Sequence, residues 1–182
     1  SRAVSTATKG KIAAVEQPAS FEFTPENFKL AEDIIARYPQ GKQQSALMPL
    51  LMIAQKQSGN WLPRAAMDYV ASILAMPPMR VYEVATFYTM YNLEPIGKYH
   101  LQVCTTTPCW LRGSDEVVQA CESHLGIRMG ETTADGQFTL SEAECLGACV
   151  NAPMAQITSA EHDDYFEDLN GELTLHLLEQ LE

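Results

Sequence analysis

Basic residues vanish from the last third of the chain. Residues 131–182 carry twelve acids and no Lys or Arg, while residues 1–130 carry twelve bases and eleven acids, for a net charge of −11. A nucleic-acid binder neutralises phosphates with Lys and Arg, so this balance excludes that class, and binding to anionic lipid fails for the same reason. Long apolar runs are missing too. The longest uncharged apolar stretch, Ala46 to Ala54, is nine residues and contains Pro49, where a membrane-spanning helix needs about 20. Any membrane association must therefore go through partners. No G-x-G-x-x-G follows a strand-like segment, and without that fingerprint or a flavin motif nothing in the chain is built to hold a dinucleotide. What is present, 46% apolar and 19% charged residues over 182, is the composition of a globular chain of one or two domains.

Cysteine is sparse but patterned. There are five, an odd number without a secretory apolar segment, so a disulfide framework is not expected. Four form two close pairs, Cys104 and Cys109 in CTTTPC and Cys145 and Cys149 in CLGAC, and Cys121 stands alone. Small buried hydrophobes would have no reason to pair in loops of Thr, Gly and Pro. Four thiolates can supply a tetrahedral zinc site or a 2Fe-2S cluster. Zinc knuckles favour two residues between paired cysteines, whereas a two-iron rhombus accepts wider, looped pairs, so iron-sulfur ranks ahead of zinc. A Rieske centre needs two His ligands, yet His100 and His124 lie outside both motifs. The plant-type ferredoxin pattern needs a further Cys shortly after the second, where Trp110, Leu111 and Arg112 stand instead. A thiol-disulfide oxidoreductase expects two residues between its cysteines, which neither pair has. Zinc-stabilised module and thiol oxidoreductase both stay open as alternatives. Cys121 falls on the inward face of a helix and is expected to be a core thiol.

The loops suit a ligand role. Thr105, Thr106 and Thr107 offer hydroxyls and N–H groups, Pro108 stiffens the approach to Cys109, and Gly147 permits the positive φ by which a short loop turns N–H groups toward an anionic sulfur. Ahead of them, Thr24, Pro25 and Glu26 start a helix whose Phe28, Ala31, Ile34 or Ile35 and Tyr38 share a face. A second helix runs from about Gln43 to Gln57, bent by Pro49, a third from Pro63 to Ala75 and a fourth from Met79 to Phe87. The aromatic run Tyr82, Phe87, Tyr88 and Tyr91 reads as helix core more readily than as partner surface. From Gly97 the order is strand (Tyr99 to Val103), helix (Ser114 to His124, capped by Ser114), strands (Phe138 to Leu140, Met154 to Ile157) and a closing helix, Gly171 to Leu181, with Leu173, Leu177, Leu178 and Leu181 inward. That describes a small α/β sandwich with both cysteine pairs in loops at one end. Ser1 to Ser20 has little to bury and is expected to be a flexible tail, a processed targeting remnant or a trimmed end.

The words PPMRVYEVATFYTMYN (Pro77 to Asn92), GKYHLQVCTTTPCWLRGSDEV (Gly97 to Val117), GETT (Gly130 to Thr133) and ECLGACVNAPM (Glu144 to Met154) closely resemble the 2Fe-2S subunit of the NADH-dehydrogenase module of respiratory complex I. The resemblance spans Phe21 to Leu169. Trp110 stands where an aliphatic would be expected, and Glu161 to Asp164 read as a small acidic insertion. The resemblance implies a mixed α/β (α+β) chain: a flexible tail over 1–20, a helical domain over 21–96 and a thioredoxin-like 2Fe-2S ferredoxin domain over 97–182. It implies Cys104, Cys109, Cys145 and Cys149 as the cluster ligands, and as partners a subunit that binds flavin (FMN) and NADH and a large iron-sulfur subunit. The place it implies is the peripheral arm on the matrix side of the mitochondrial inner membrane, or the cytoplasmic face of a bacterial one. Equivalent subunits serve NAD-linked hydrogenases and formate dehydrogenases. The chain itself is then an electron carrier and no dehydrogenase.

One electrostatic expectation follows from the charge balance. A 2Fe-2S site with four thiolates carries two negative charges when oxidised and three when reduced, and the added charge is unwelcome beside a segment without bases. The site is expected to have a low potential, with Glu142 and Glu144 as the acids nearest the second pair.

Overall fold

The computed structural model describes residues 17–160 and 163–181; the first sixteen residues of the expected tail lie outside them. The chain divides into two compact units, Ser1–Pro95 and Ile96–Glu182. No helix among the described residues is long and apolar enough to cross a membrane.

The first unit is helical: α1 (Pro25–Ile35), α2 (Leu47–Gln57), α3 (Arg64–Ile73) and α4 (Pro78–Phe87). Thr24 caps α1, its hydroxyl accepting from the Asn27 N–H at 3.3 Å. Gln57, the last residue of α2, fastens that cap to the unit: its Oε1 accepts from Thr24 N and Asn27 Nδ2, and its Nε2 donates to the Glu22 carbonyl. The second helix does not run through from Gln43. A 3-10 turn, Gln43–Ala46, precedes α2, and Pro49 falls in the first α-turn, where its missing N–H has no partner to lose. Leu50, Leu51, Ala54, Leu62, Ala66, Met67, Val70, Val81 and Ala85 fill the core. On α1 only Ala31 is fully buried; Phe28 is exposed, contrary to its place in the helical pattern.

The aromatic run splits. Tyr91 is 2% exposed and donates to the Met48 carbonyl at 3.0 Å, while Phe87 is 76% exposed. Buried Gln55 holds this segment to α2, donating to Met90 O at 3.0 Å and accepting from Asn92 N at 2.7 Å. Sequence periodicity could not make the division, because the chain leaves α4 at Tyr88 with extended dihedrals and the helical period ends there.

The second unit holds β1 (Tyr99–Cys104), α5 (Thr107–Leu111), α6 (Ser114–Leu125), β2 (Phe138–Ala143), β3 (Ala155–Thr158), β4 (Asp163–Phe166) and α7 (Gly171–Glu179). The sheet order is β2-β1-β3-β4, with β1 and β2 parallel and the other two pairings antiparallel. A parallel pair needs a crossover of a dozen or more residues, which α5 and α6 supply. Leu101, Val103, Val117, Cys121, Phe138, Leu140, Ile157 and Leu178 form the core. Successive strand residues point to opposite faces, so Leu101 and Val103 face this core while His100, Gln102 and Cys104 face away from it.

The acidic stretch Glu161 to Asp164 contributes to a strand: Asp163 and Asp164 pair with Thr158 and Ile157 as part of the edge strand β4, while Glu161 and His162 lie outside the described residues. Acids on an edge strand discourage pairing with other chains. Ser114 does not cap α6. Gly113, at φ 100°, takes the cap position, and the Ser114 hydroxyl is buried without a hydrogen-bond partner among the described residues. Of the closing-helix residues expected inward, Leu178 is fully buried and Leu177 and Leu181 pack against the same core, while Leu173 is exposed and Thr174 is buried in its stead; Asn170 caps α7 by accepting from Leu173 N at 2.9 Å. Finally, Cys109 sits in the short helix α5 and not in a loop.

Candidate metal centre

Three strand ends bring the four paired cysteines together. Cys104 is the last residue of β1 and is in register with Ala143, the last residue of parallel β2. Parallel strands end on the same side, so the loop carrying Cys145 leaves β2 beside Cys104. Antiparallel β3 begins at Ala155, in register with Val103, which brings the preceding 3-10 turn, Cys149–Asn151, to that same end. From Cys104 the chain passes through Thr105 and Thr106 into α5, where Pro108 occupies the first turn and needs no N–H partner. Cys109 follows one residue later. Backbone bonds lock the junction: Cys104 N donates to Met154 O at 3.1 Å and Thr105 N to Ala143 O at 3.3 Å.

The site straddles core and surface. Cys104 and Cys109 are buried with Ala152 and Met154, and Leu146 and Ala148 pack against them. Cys145 and Cys149 are exposed, and all five cysteines are free. Gly147 between them has φ 83° with open space where a Cβ would sit, so the backbone dihedral is what favours glycine there. The Glu142 carboxylate accepts a hydrogen bond from the Thr105 hydroxyl, joining β2 to the loop after Cys104.

The sulfurs influence one another. Burial opposes ionisation of Cys104, but the Thr106 hydroxyl, 3.6 Å from its Sγ, the Thr106 N–H, the Cys109 thiol and the Leu146 N–H outweigh burial and hold its pKa below the usual thiol range. Cys109 is pushed up to about 11, first by burial and then by the hydrogen bond to and charge of Cys104, with Cys149 adding to it. Cys149 is raised by desolvation, by its hydrogen bond with Cys145 and by the charges of Cys145 and Cys104. Cys104, Cys109 and Cys149 each have their ionisation shifted by neighbouring sulfurs of the two pairs, and a bound cation relieves such competition by deprotonating its ligands outright. Cys121 is separate: it is buried in α6 and pushed up to about 12 by burial, the core thiol expected.

A family model for thioredoxin-like [2Fe-2S] ferredoxins matches residues 31–182. The chain belongs to that family. It is 56% identical over 163 residues to a NADH-quinone oxidoreductase subunit of Rickettsia conorii, covering 90% of this chain and 95% of that protein. The corresponding NADH-quinone oxidoreductase subunit of Rickettsia prowazekii is 60% identical over 161 residues, covering 88% of this chain and 89% of that one. The mitochondrial NADH dehydrogenase [ubiquinone] flavoprotein 2 of Dictyostelium discoideum is 56% identical over 161 residues, 88% of this chain and 64% of that protein. Among solved structures, an air-oxidised NAD+-reducing [NiFe]-hydrogenase superposes with a TM-score of 0.63 at 20% identity, covering 74% of this chain and 22% of that one. At that identity the likeness shows the fold alone.

Membership brings a 2Fe-2S cluster, and the donor set fits one. The sulfurs come as two pairs, as two irons with two protein ligands each require. Among the described residues no group of three or more His, Cys, Asp or Glu side chains is arranged to hold a single metal ion, so the fit rests on this pairing and on the family. The ferredoxin reads in sequence as its cysteines and the loops about them. Sequence reading missed the groups that brace those loops: the Met154 carbonyl and the Arg112 side chain, which donates to Ala152 O at 3.3 Å. The one signal for Arg112 was its rarity, as a base in a chain half that loses them.

Proposed function

We propose that this ferredoxin is the electron-carrier subunit of an NADH:ubiquinone oxidoreductase, with Cys104, Cys109, Cys145 and Cys149 holding one 2Fe-2S cluster. The observation that carries this reading is identity of 56% over nearly the full length of a NADH-quinone oxidoreductase subunit. A cluster held there takes up and releases one electron at a time. The chain supplies everything around it: four thiolates, the Thr106 and Leu146 donors that favour an ionised Cys104, and the buried Ala152 and Met154 that keep water from the first pair. The electron partner is the flavin of an NADH-oxidising subunit, with a large iron-sulfur subunit in the same module. The place is the peripheral arm, on the matrix side of the mitochondrial inner membrane or the cytoplasmic face of a bacterial one; the relatives include a bacterial protein and one named mitochondrial.

The test is composition and spectroscopy of the purified full chain. Iron and acid-labile sulfide should each measure about two per chain, with visible absorbance and an EPR signal on reduction. Replacing any of the four cysteines singly by Ala should abolish or destabilise the cluster, because one iron loses a ligand. Stoichiometric zinc from iron-replete growth would overturn the reading.

A further inference from the structure

Only three Lys or Arg residues fall in the second unit: Lys98, Arg112 and Arg128. Lys98 precedes β1, whose six residues put it about 20 Å along the strand from Cys104. Arg128 lies beyond the far end of α6, whose twelve residues span about 18 Å. Both distances exceed the about 8–10 Å over which exposed charges act in salt. Arg112 is different. It follows α5 directly, its N–H bonded to Pro108 O at 3.1 Å, and its Nε donates to the carbonyl of Ala152 at 3.3 Å. Ala152 is buried in the same apolar group as Cys104 and Cys109 and stands three residues after Cys149. The guanidinium thus spans the two ligand segments, with Cys109 in the helix on one side and Cys149 in the turn on the other. The acids of this end include Glu142, Glu144, Asp115, which accepts from Trp110 Nε1 at 3.1 Å, and Glu167, which accepts from Asn151 Nδ2 of the Cys149 turn at 2.6 Å.

We propose that Arg112 is a positioning residue of the cluster site: it ties the helix carrying Cys109 to the turn carrying Cys149, and its charge raises the reduction potential against the surrounding acids. This rests on the four-cysteine cluster proposed above. An added electron makes the site more negative, so a fixed cation beside it favours the reduced form, and removing the cation disfavours it. The fork of Arg keeps the charge oriented as well as near.

Redox titration of the full chain followed by EPR tests this. In Arg112→Gln the ratio of reduced to oxidised cluster, at the wild-type midpoint potential, should fall about three- to tenfold, tenfold being about 59 mV for one electron. Arg112→Lys should recover most of the shift, Arg128→Gln should show none, and the difference between wild type and Arg112→Gln should shrink in high salt. If Arg112→Gln holds no iron, Leu111→Lys reads the same effect with opposite sign: Leu111 is 73% exposed, and a second cation there should raise the potential. A wild-type potential in Arg112→Gln, a Lys variant that behaves like Gln, a shift indifferent to salt, or no rise in Leu111→Lys overturns the proposal. Absence of a 2Fe-2S signal from the wild type overturns the cluster itself, which separates the two failures.

Discussion

Acid should loosen the second unit through one side chain, His100. It is 7% exposed on β1, opposite Thr139 of β2, and its Nε2 shares a hydrogen bond of 2.7 Å with Ser141 Oγ. Burial pushes its pKa from 6.5 down to about 4. The unfolded chain binds this proton below pH 6.5 and the folded chain only below about 4, so between those values the unfolded state carries more protons and acid favours it. The stabilisation is complete above the unfolded pKa and lost as pH falls toward the folded one. The whole difference corresponds to about 3 kcal/mol, of which about 2 kcal/mol is lost between about pH 7 and 5. With a urea dependence of about 2 kcal/mol per molar, the unfolding midpoint should fall by about 1 M. His100→Gln keeps a group able to bond Ser141 and cannot titrate. Urea unfolding of both proteins at the two pH values isolates the histidine, since the carboxylates common to both cancel in the comparison. An equal loss of midpoint in wild type and variant would refute the reasoning. The strand bears on the proposed cluster site, because β1 and β2 set Cys104 beside the loop that carries Cys145.

Gly97→Ala should destabilise the same strand pair by about 1–3 kcal/mol, because a Cβ there would stand 2.8 Å from the backbone carbon of Phe138; thermal unfolding reads it, and an unchanged midpoint would contradict the packing. Cys121→Ala should keep the iron and sulfide of the wild type while costing about 1 kcal/mol of buried contact; loss of colour would mean that the ligand set is misassigned. The chain alone should oxidise no NADH with any electron acceptor in a spectrophotometric assay, and turnover without added flavin would make it a dehydrogenase and not a carrier.

Local chemistry was written in the chain. Paired cysteines with wide spacing, Gly147 at its positive φ, Thr24 and Pro25 opening α1, and the inward Cys121 all depend on residues a few positions apart, so a linear reading reaches them. Other features depend on segments far apart in sequence. β4 is an edge strand because Asp163 and Asp164 meet Thr158 and Ile157, a pairing that their reading in sequence as part of a small acidic insertion does not reveal. Thr174 and not Leu173 turns inward on α7, because the buried side of a short helix is chosen by the element packed against it. That both cysteine pairs share one end was legible from the order of elements, but the parallel and antiparallel registers that set Cys145 and Cys149 beside Cys104 were not, because hydrogen bonds across a sheet leave no local trace in the sequence. Arg112 is the sharpest case: its partner Ala152 lies forty residues away in the chain. Sequence determined the chemistry of the donors; the crossings of the sheet decided which donors, charges and braces share one end of it.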